Sequence, residues 1–222
     1  MKNSWTFAML LIVVLLASAV TGKAQIQVSQ EPRHHKVFEN DWVRVLDVHI
    51  PPGDTSLMHK HSIPSVFMVL SQTKTGSEVL EEPARTNFSD GHIWFESFYD
   101  KPRIHRVWNS DTTEFHVVDM EILNKDPQDI DPPVVHKYFT LLFDEKPVRG
   151  YRVTLPAGEW LPVMRRTAPI IVVRLGNAAG DVTAGGKSLV TRGDFVFVGP
   201  GQPLGFRNAG RNVEQLAVFE LK

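Results

Sequence analysis

The chain contains no cysteine. Disulfides, thiolate metal sites, iron–sulfur clusters and cysteine nucleophiles are therefore excluded, and so is lipid attachment through cysteine. Net charge is also scarce, with 24 basic residues against 25 acidic ones. Such a balance gives no electrostatic case for nucleic-acid binding. No long segment holds a 3.6-residue apolar period, so little helix is expected. Histidine is missing from the carboxy-terminal part. All nine histidines lie at 34, 35, 49, 59, 61, 92, 105, 116 and 136. What is present is ordinary globular material. The apolar content is 42% over 222 residues, which fits one or two domains and excludes a disordered chain.

Residues 1–24 read as an address rather than as fold. Lys2 makes a basic start, 7–20 is nearly all apolar, and Gly22 and Ala24 place small residues before a cleavage point. The apolar run is shorter than the roughly 20 residues a spanning helix needs. A cleaved secretory signal is expected, with an uncleaved anchor and a buried helix as the alternatives. The mature chain would be periplasmic or secreted, with no stable membrane span after cleavage. Without cysteine, its core alone must hold it together.

The remainder reads as short strands. Runs rich in Val, Ile, Phe and Trp are bounded by Gly, Pro, Asn or Asp. They are expected at 42–50, 66–70, 92–95, 104–108, 115–123, 149–155, 170–175, 195–198 and 215–221. Closely spaced strands with turn signals predict an all-β sandwich or barrel. A repeat sharpens this. Residues 43–70 align without a gap on 148–175, with Val43/Val148, Arg44/Arg149, Pro51/Pro156, Gly53/Gly158 and Pro64/Pro169 identical. A second block matches Gly91 to Gly193, Phe95 to Phe197, Asn109 to Asn208 and Glu121 to Glu220. Two copies of one β domain are expected, at 25–123 and 135–222. The proline- and acid-rich stretch 124–134 would link them.

Chemistry concentrates in the first copy. Gly53 is followed after five residues by His59-Lys60-His61. On a strand, residues i and i+2 share a face, so both imidazoles enter one space. His105, with Asn109 four positions later, offers a third imidazole from another strand. A bare His-x-His also fits a half-exposed polar strand, and that reading stands beside metal binding. His92 is the reserve ligand. His49, His116 and His136 are expected to be no ligands, and His34 and His35 to face solvent from a flexible terminus. Arg103 and Arg106 are expected outside the metal cavity.

Gly53, His59, His61, His105 and Asn109 together resemble the two motifs of the cupin superfamily. The resemblance covers roughly 43–121, and the repeat extends it to 221. It implies two tandem cupin (jelly-roll) β-barrels, a bicupin, usually with a divalent metal inside. The chain departs from the family at the first motif's glutamate, which falls on Ser65 or Val66, and at the second motif's glycine, which is Ile104. What remains is a three-histidine set, His59, His61 and His105. Some cupin dioxygenases resemble this arrangement and use iron(II). Iron(II) is therefore favoured, with Zn, Ni, Cu or Mn as alternatives. Family barrels often pair, so a homodimer is a further expectation.

The second copy reads as silent. His59 maps to Met164, His61 to Arg166 and His105 to Leu204. Neither Met nor Arg replaces imidazole in such a site. Arg166 is expected in a salt bridge or in solvent, and Asn109/Asn208 and Glu121/Glu220 to serve the fold. Trp42, Trp94, Trp108 and Trp160 are expected in a core or interface. Three functions remain open: a dioxygenase-like enzyme on a small molecule, a small-ligand binding or sensing protein without turnover, and a structural cupin. Glu96 and Glu121 are the nearest candidates for a general base.

Overall fold

The computed structural model describes residues 25–71, 73–80, 85–86, 91–177 and 181–222. The expected signal segment, 1–24, lies outside them. Each of the nine expected strands forms, with ends shifted by no more than one residue. The first half contains β1 (Ile26–Gln27), β2 (His34–Glu39), β3 (Val43–Ile50), β4 (His59–His61) and β5 (Ser65–Val69). It continues with β6 (Thr75–Val79), β7 (Arg85–Thr86), β8 (Ile93–Glu96), β9 (Arg103–Asn109) and β10 (Phe115–Ile122). The second half contains β11 (Phe139–Asp144), β12 (Val148–Leu155), β13 (Trp160–Met164), β14 (Ile170–Arg174) and β15 (Val182–Ala184). It ends with β16 (Lys187–Leu189), β17 (Phe195–Val198), β18 (Leu204–Asn208) and β19 (Glu214–Leu221). Some of the extra strands, such as β6 (TGSEV) and β16 (KSL), lack the apolar runs that mark a strand in sequence. No helix among the described residues is long and apolar enough to cross a membrane.

Strand order repeats along the chain. The first half has sheets β2-β3-β10-β5-β8 and β1-β4-β9-β6-β7. The second has β11-β12-β19-β14-β17 and β13-β18-β15-β16. Removing β1 makes the two orders equivalent. Aligned residues also occupy equivalent places in the ladders. His59 pairs with His105, and Met164 pairs with Leu204. Glu121 pairs with Arg44, and Glu220 with Arg149. Among the described residues the sheets stay open, and no continuous hydrogen-bonded ring closes a barrel. In each half the two sheets face one another, as in a double-sheet jelly roll.

Strand alternation explains three cores. One face of β3, β5 and β10 contributes Val43, Val45, Val66, Met68 and Met120. It packs against Ile171, Val173, Ala217 and Phe219 of the second half. The halves thus share an apolar seam. The second half's interior is filled by Tyr151, Val153, Leu155, Val182, Leu204 and Phe206. The first half's interior has a smaller cluster, including Leu46, Val48, Ile50 and Val117. The expected linker is tied to the second half: Arg149 donates to the Asp131 carbonyl, and the Val134 amide donates to the Tyr151 hydroxyl.

Two turns are built on the same plan, with Asn208 adding a bond to the Pro156 carbonyl. Asn109 donates to the Ile50 and Thr113 carbonyls and accepts from the Asp111 amide. Asn208 donates to the Leu155 and Asn212 carbonyls and accepts from the Gly210 amide. These asparagines therefore serve the fold, as expected. Trp160 lies outside the core. It is 65% exposed, because its strand turns that residue away from the packed interior.

Candidate metal centre

β4 and β9 run antiparallel with His59 opposite His105. The pleat puts His61 on the same face as His59. All three rings therefore enter the space between the first half's sheets. His61 Nε2 lies 3.2 Å from His59 Nε2 and 2.9 Å from His105 Nε2. His59 and His61 are fully buried.

Neighbouring groups set the ring orientations. His59 Nδ1 donates to the Leu57 carbonyl at 2.8 Å. That tautomer leaves its Nε2 lone pair facing the centre. His105 Nδ1 lies 3.2 Å from the Ser77 hydroxyl. His61 Nδ1 lies 3.6 Å from Asp119, a fully buried carboxylate. Burial, reinforced by Glu121 nearby, pushes the Asp119 carboxyl well above its usual range. Burial works the other way on imidazole. It lowers His59 to about 4, with His34 contributing. Burial and the neighbouring rings hold His61 and His105 well below the ordinary histidine value. All three rings are neutral near pH 7 and present lone pairs.

His34 corrects the sequence reading. Its side chain is 7% exposed rather than solvated. β1 pairs in parallel with β4, Ile26 opposite His59, and this draws the amino-terminal segment against the site. A buried Glu31 carboxylate accepts from His34 Nδ1 at 2.8 Å and from the Leu57 amide at 3.0 Å. Burial alone would raise Glu31, but the bonds from His34, Leu57 and Arg33 outweigh it and hold the group at about 2. His34 places a ring nitrogen within 4.8 Å of ligand atoms on His59 and His61, so it is a fourth candidate for the same ion. His35, one residue on, is exposed as expected.

The histidines open into a cavity of about 370 Å³. Its walls include Val48, Ile50, Phe67, Trp94 and Val107. This is the size range of small-molecule pockets, and apolar walls with a few convergent polar groups are typical of them. His92, the reserve ligand, lines the wall and stacks on Trp94 with ring centroids 5.0 Å apart. Arg103 is a second correction. It stands two residues before His105, so alternation directs it into the cavity rather than away. There it donates to Glu96 at 2.9 Å. Glu121 is outside the lining and is bound by Arg44 at 2.6 Å. Burial raises Glu121 despite that ion pair.

The donor set fits a divalent transition ion. Two nitrogens bound to one ion at about 2.1 Å stand about 3.0–3.4 Å apart, which brackets the spacing around His61 within a tenth of an ångström. A neutral cluster without an ion crowds lone pairs that only shared protons can relieve. His61 Nδ1 and both Asp119 oxygens also make no hydrogen bond. Carboxylates behind ligating histidines are the usual second layer of metal sites. Asp119 was missed in the sequence, although an acid inside the apolar run FHVVDMEI was a usable signal.

No protein-family model matches the chain, and no curated protein matches it in sequence. Solved structures do match. Salicylate 1,2-dioxygenase from Pseudaminobacter salicylatoxidans is 12% identical, with a TM-score of 0.62 over 97% of this chain and 82% of that one. YhhW from Escherichia coli is 14% identical, with a TM-score of 0.61 over 85% and 89%. A cupin 2 conserved barrel domain protein from Leptotrichia buccalis is 10% identical, with a TM-score of 0.54 over 84% and 87%. At such identities the likeness concerns the fold. Sheet order, the histidine cluster between the first half's sheets and these neighbours agree, and the fold is cupin-like.

Proposed function

We propose that the chain is an exported bicupin whose first copy, 25–123, holds a divalent transition metal on His59, His61 and His105. It would act on a small molecule as a three-histidine, dioxygenase-like enzyme. The second copy, 135–222, would be metal-free, with 124–134 as the connection. The meeting of three neutral Nε2 atoms in one cavity carries this reading.

Iron(II) is the favoured ion. When bound, it supplies Lewis acidity and redox capacity at a site with open positions. The protein's own residues do the rest. Leu57 and Ser77 fix the outer nitrogens of His59 and His105. Asp119 stands behind His61, positioned to orient it. Phe67, Trp94 and Val107 exclude water from the face where a small molecule would lie. Arg103 supplies a positive group on the wall, restrained by Glu96. The likeness to a salicylate dioxygenase makes a phenolic acid one reasonable probe.

A binding protein without turnover is the second reading. Its support is that Glu96 and Asp119, the acids lining the cavity, are respectively ion-paired and buried behind His61. Among the described residues, no carboxylate that is both solvated and free of an ion pair lines the cavity.

Metal analysis of the purified protein tests both readings. Wild type is expected to retain one tightly held equivalent, and His59→Ala and His105→Ala to lose it. Wild type without that equivalent sinks both. With iron present, oxygen uptake is measured with diketones, thiols and phenols, salicylate included. Uptake favours the enzyme. Tight retention of a ligand without uptake favours the binding protein.

A further inference from the structure

Three more histidines and an acid gather on the outer face of the first half. Asp47 and His49 stand at i and i+2 on β3, so they share that face. His116 on β10 is directly opposite His49, and His35 on β2 is directly opposite Asp47. This repeats the plan of the inner cluster, in which His59 and His61 stand at i and i+2 and His105 is opposite His59. In sequence, His35, His49 and His116 had only bland readings. Register, not spacing along the chain, brings them together.

The side chains already meet at Asp47. His49 Nε2 lies 3.0 Å from one Asp47 oxygen, and His116 Nε2 lies 2.7 Å from the other. The two rings stack at 4.3 Å with only 18° between their planes. One potential donor atom from each of Asp47, His49 and His116 lies within 4.8 Å of the others. Behind them, Glu114 holds His49 Nδ1 at 2.8 Å. That is the carboxylate–histidine support of many metal sites. It also means that both ring nitrogens of His49 face carboxylates. A neutral ring donates through only one of them, so the cluster must take up extra positive charge. The site is half-buried and opens to solvent.

The cluster borders a depression that carries charges of both signs. Along β3, the face that carries Val43 and Val45 into the seam between the halves continues to Asp47 and His49. Asp47 and His116 line a depression of about 250 Å³ with Lys187, Arg192, Gly193 and Asp194 of the second half. Lys187 there donates to the Phe195 carbonyl, and Asp194 accepts from Thr191.

We propose that Asp47, His49 and His116 form a second, outer site for a divalent transition ion of the zinc–copper class. Glu114 positions His49, and His35 is available at the rim. Two imidazoles and one carboxylate are borderline donors, which suit zinc, copper(II) or nickel rather than calcium or magnesium. An ion would replace the protons now shared between Asp47 and the two rings. This site does not depend on the inner centre, and its test separates the two.

The experiment is zinc chloride titration by calorimetry on metal-stripped protein. Wild type and the inner-site variant His59→Ala/His105→Ala are compared, each with and without His116→Gln. One binding equivalent should disappear with His116→Gln in both backgrounds, whatever the inner site does. Asp47→Asn should remove the same equivalent, and Glu114→Gln should weaken it about 10–100-fold. Circular dichroism checks that each variant is folded. Should the inner-site variant misfold, the wild-type background alone carries the comparison. Zinc stoichiometry and affinity unchanged by both His116→Gln and Asp47→Asn would overturn the proposal. So would a folded wild type that binds no zinc beyond the inner equivalent.

Discussion

The two halves share a strand order and differ in what fills them. Between the first half's sheets, His59, His61 and His105 border a cavity. In the second half, the equivalent Met164, Arg166 and Leu204 leave no such cluster, and Leu204 is sealed in an apolar interior. Arg166 instead bonds Glu220 at 2.6 Å, together with the Pro132 carbonyl. The contrast also runs the other way. The second half buries an ion pair, Arg174–Glu214, at 1% and 2% exposure. The aligned residues of the first half are Val69 and Phe115, both in its apolar cluster. One scaffold therefore accepts polar groups in different places. Where they point into an open space they can act on a ligand; where protein surrounds them they only hold the structure. The scaffold residues themselves, Asn109/Asn208 and Arg44–Glu121/Arg149–Glu220, are alike in both halves.

The sharpest way to test that contrast is to break the buried ion pair. Arg174→Met strands the Glu214 carboxylate and is expected to cost about 3–5 kcal/mol. The double change Arg174→Val with Glu214→Phe copies the first half, and its cost should be far smaller. Urea denaturation of both variants measures this. A double variant as unstable as the single would mean that the bonds of Arg174 itself, to Glu214 and to the Leu189 and Val190 carbonyls, stabilise the second half.

Next comes a reciprocal exchange at aligned positions. Leu204→His buries an unpartnered imidazole in a packed core and should cost about 3–4 kcal/mol. His105→Leu removes a buried polar ring from a site with free space. It should leave the stability of the metal-free protein within about 1.5 kcal/mol while abolishing inner-site metal binding. Denaturation with and without metal reads both effects. Equal destabilisation by the two changes would erase the distinction between cavity and core.

Much of this contrast was legible in the sequence, and the reasons for the gaps are physical. Apolar runs marked the strands with bulky side chains, and the repeat marked equivalent positions. The loss of histidine at Met164, Arg166 and Leu204 was visible as soon as the copies were aligned. His34 was not, because only the parallel pairing of Ile26 with His59 brings its segment to the site. Arg103 was misplaced for a simpler reason: it is two residues from His105, not one. Asp47, His49 and His116 meet across strands, and the register of β3 with β10 cannot be read from a single chain segment.

Acid should expose the polar interior of the first half. Glu31 is held at about 2, below its ordinary 4.5. Its contribution to stability is therefore present above pH 4.5 and is lost as pH falls toward 2. His59 is lowered to about 4 from 6.5. The unfolded chain then takes up that proton first, so stability from this source is full above pH 6.5 and falls between 6.5 and 4. Both effects have the same sign. Metal-free wild type should lose stability in two stages on acidification, and Glu31→Gln should flatten the lower one. A denaturation midpoint that holds steady from pH 6.5 to 3 would contradict both assignments.

The smallest effect tests the likeness of the halves rather than their difference. Asn109 and Asn208 each bridge the end of a neighbouring strand and their own turn, using the amide group as donor and acceptor at once. Alanine removes those bonds and leaves buried carbonyls without a partner. Each change should cost about 1–3 kcal/mol. The two costs should agree closely, since the partners occupy equivalent places. Neither change should alter the inner metal equivalent, because the side chain points to the turn and not to the histidines. If Asn109→Ala released metal while costing no more than Asn208→Ala, Asn109 would belong to the site, and the division between scaffold and chemistry would have to be redrawn at that residue.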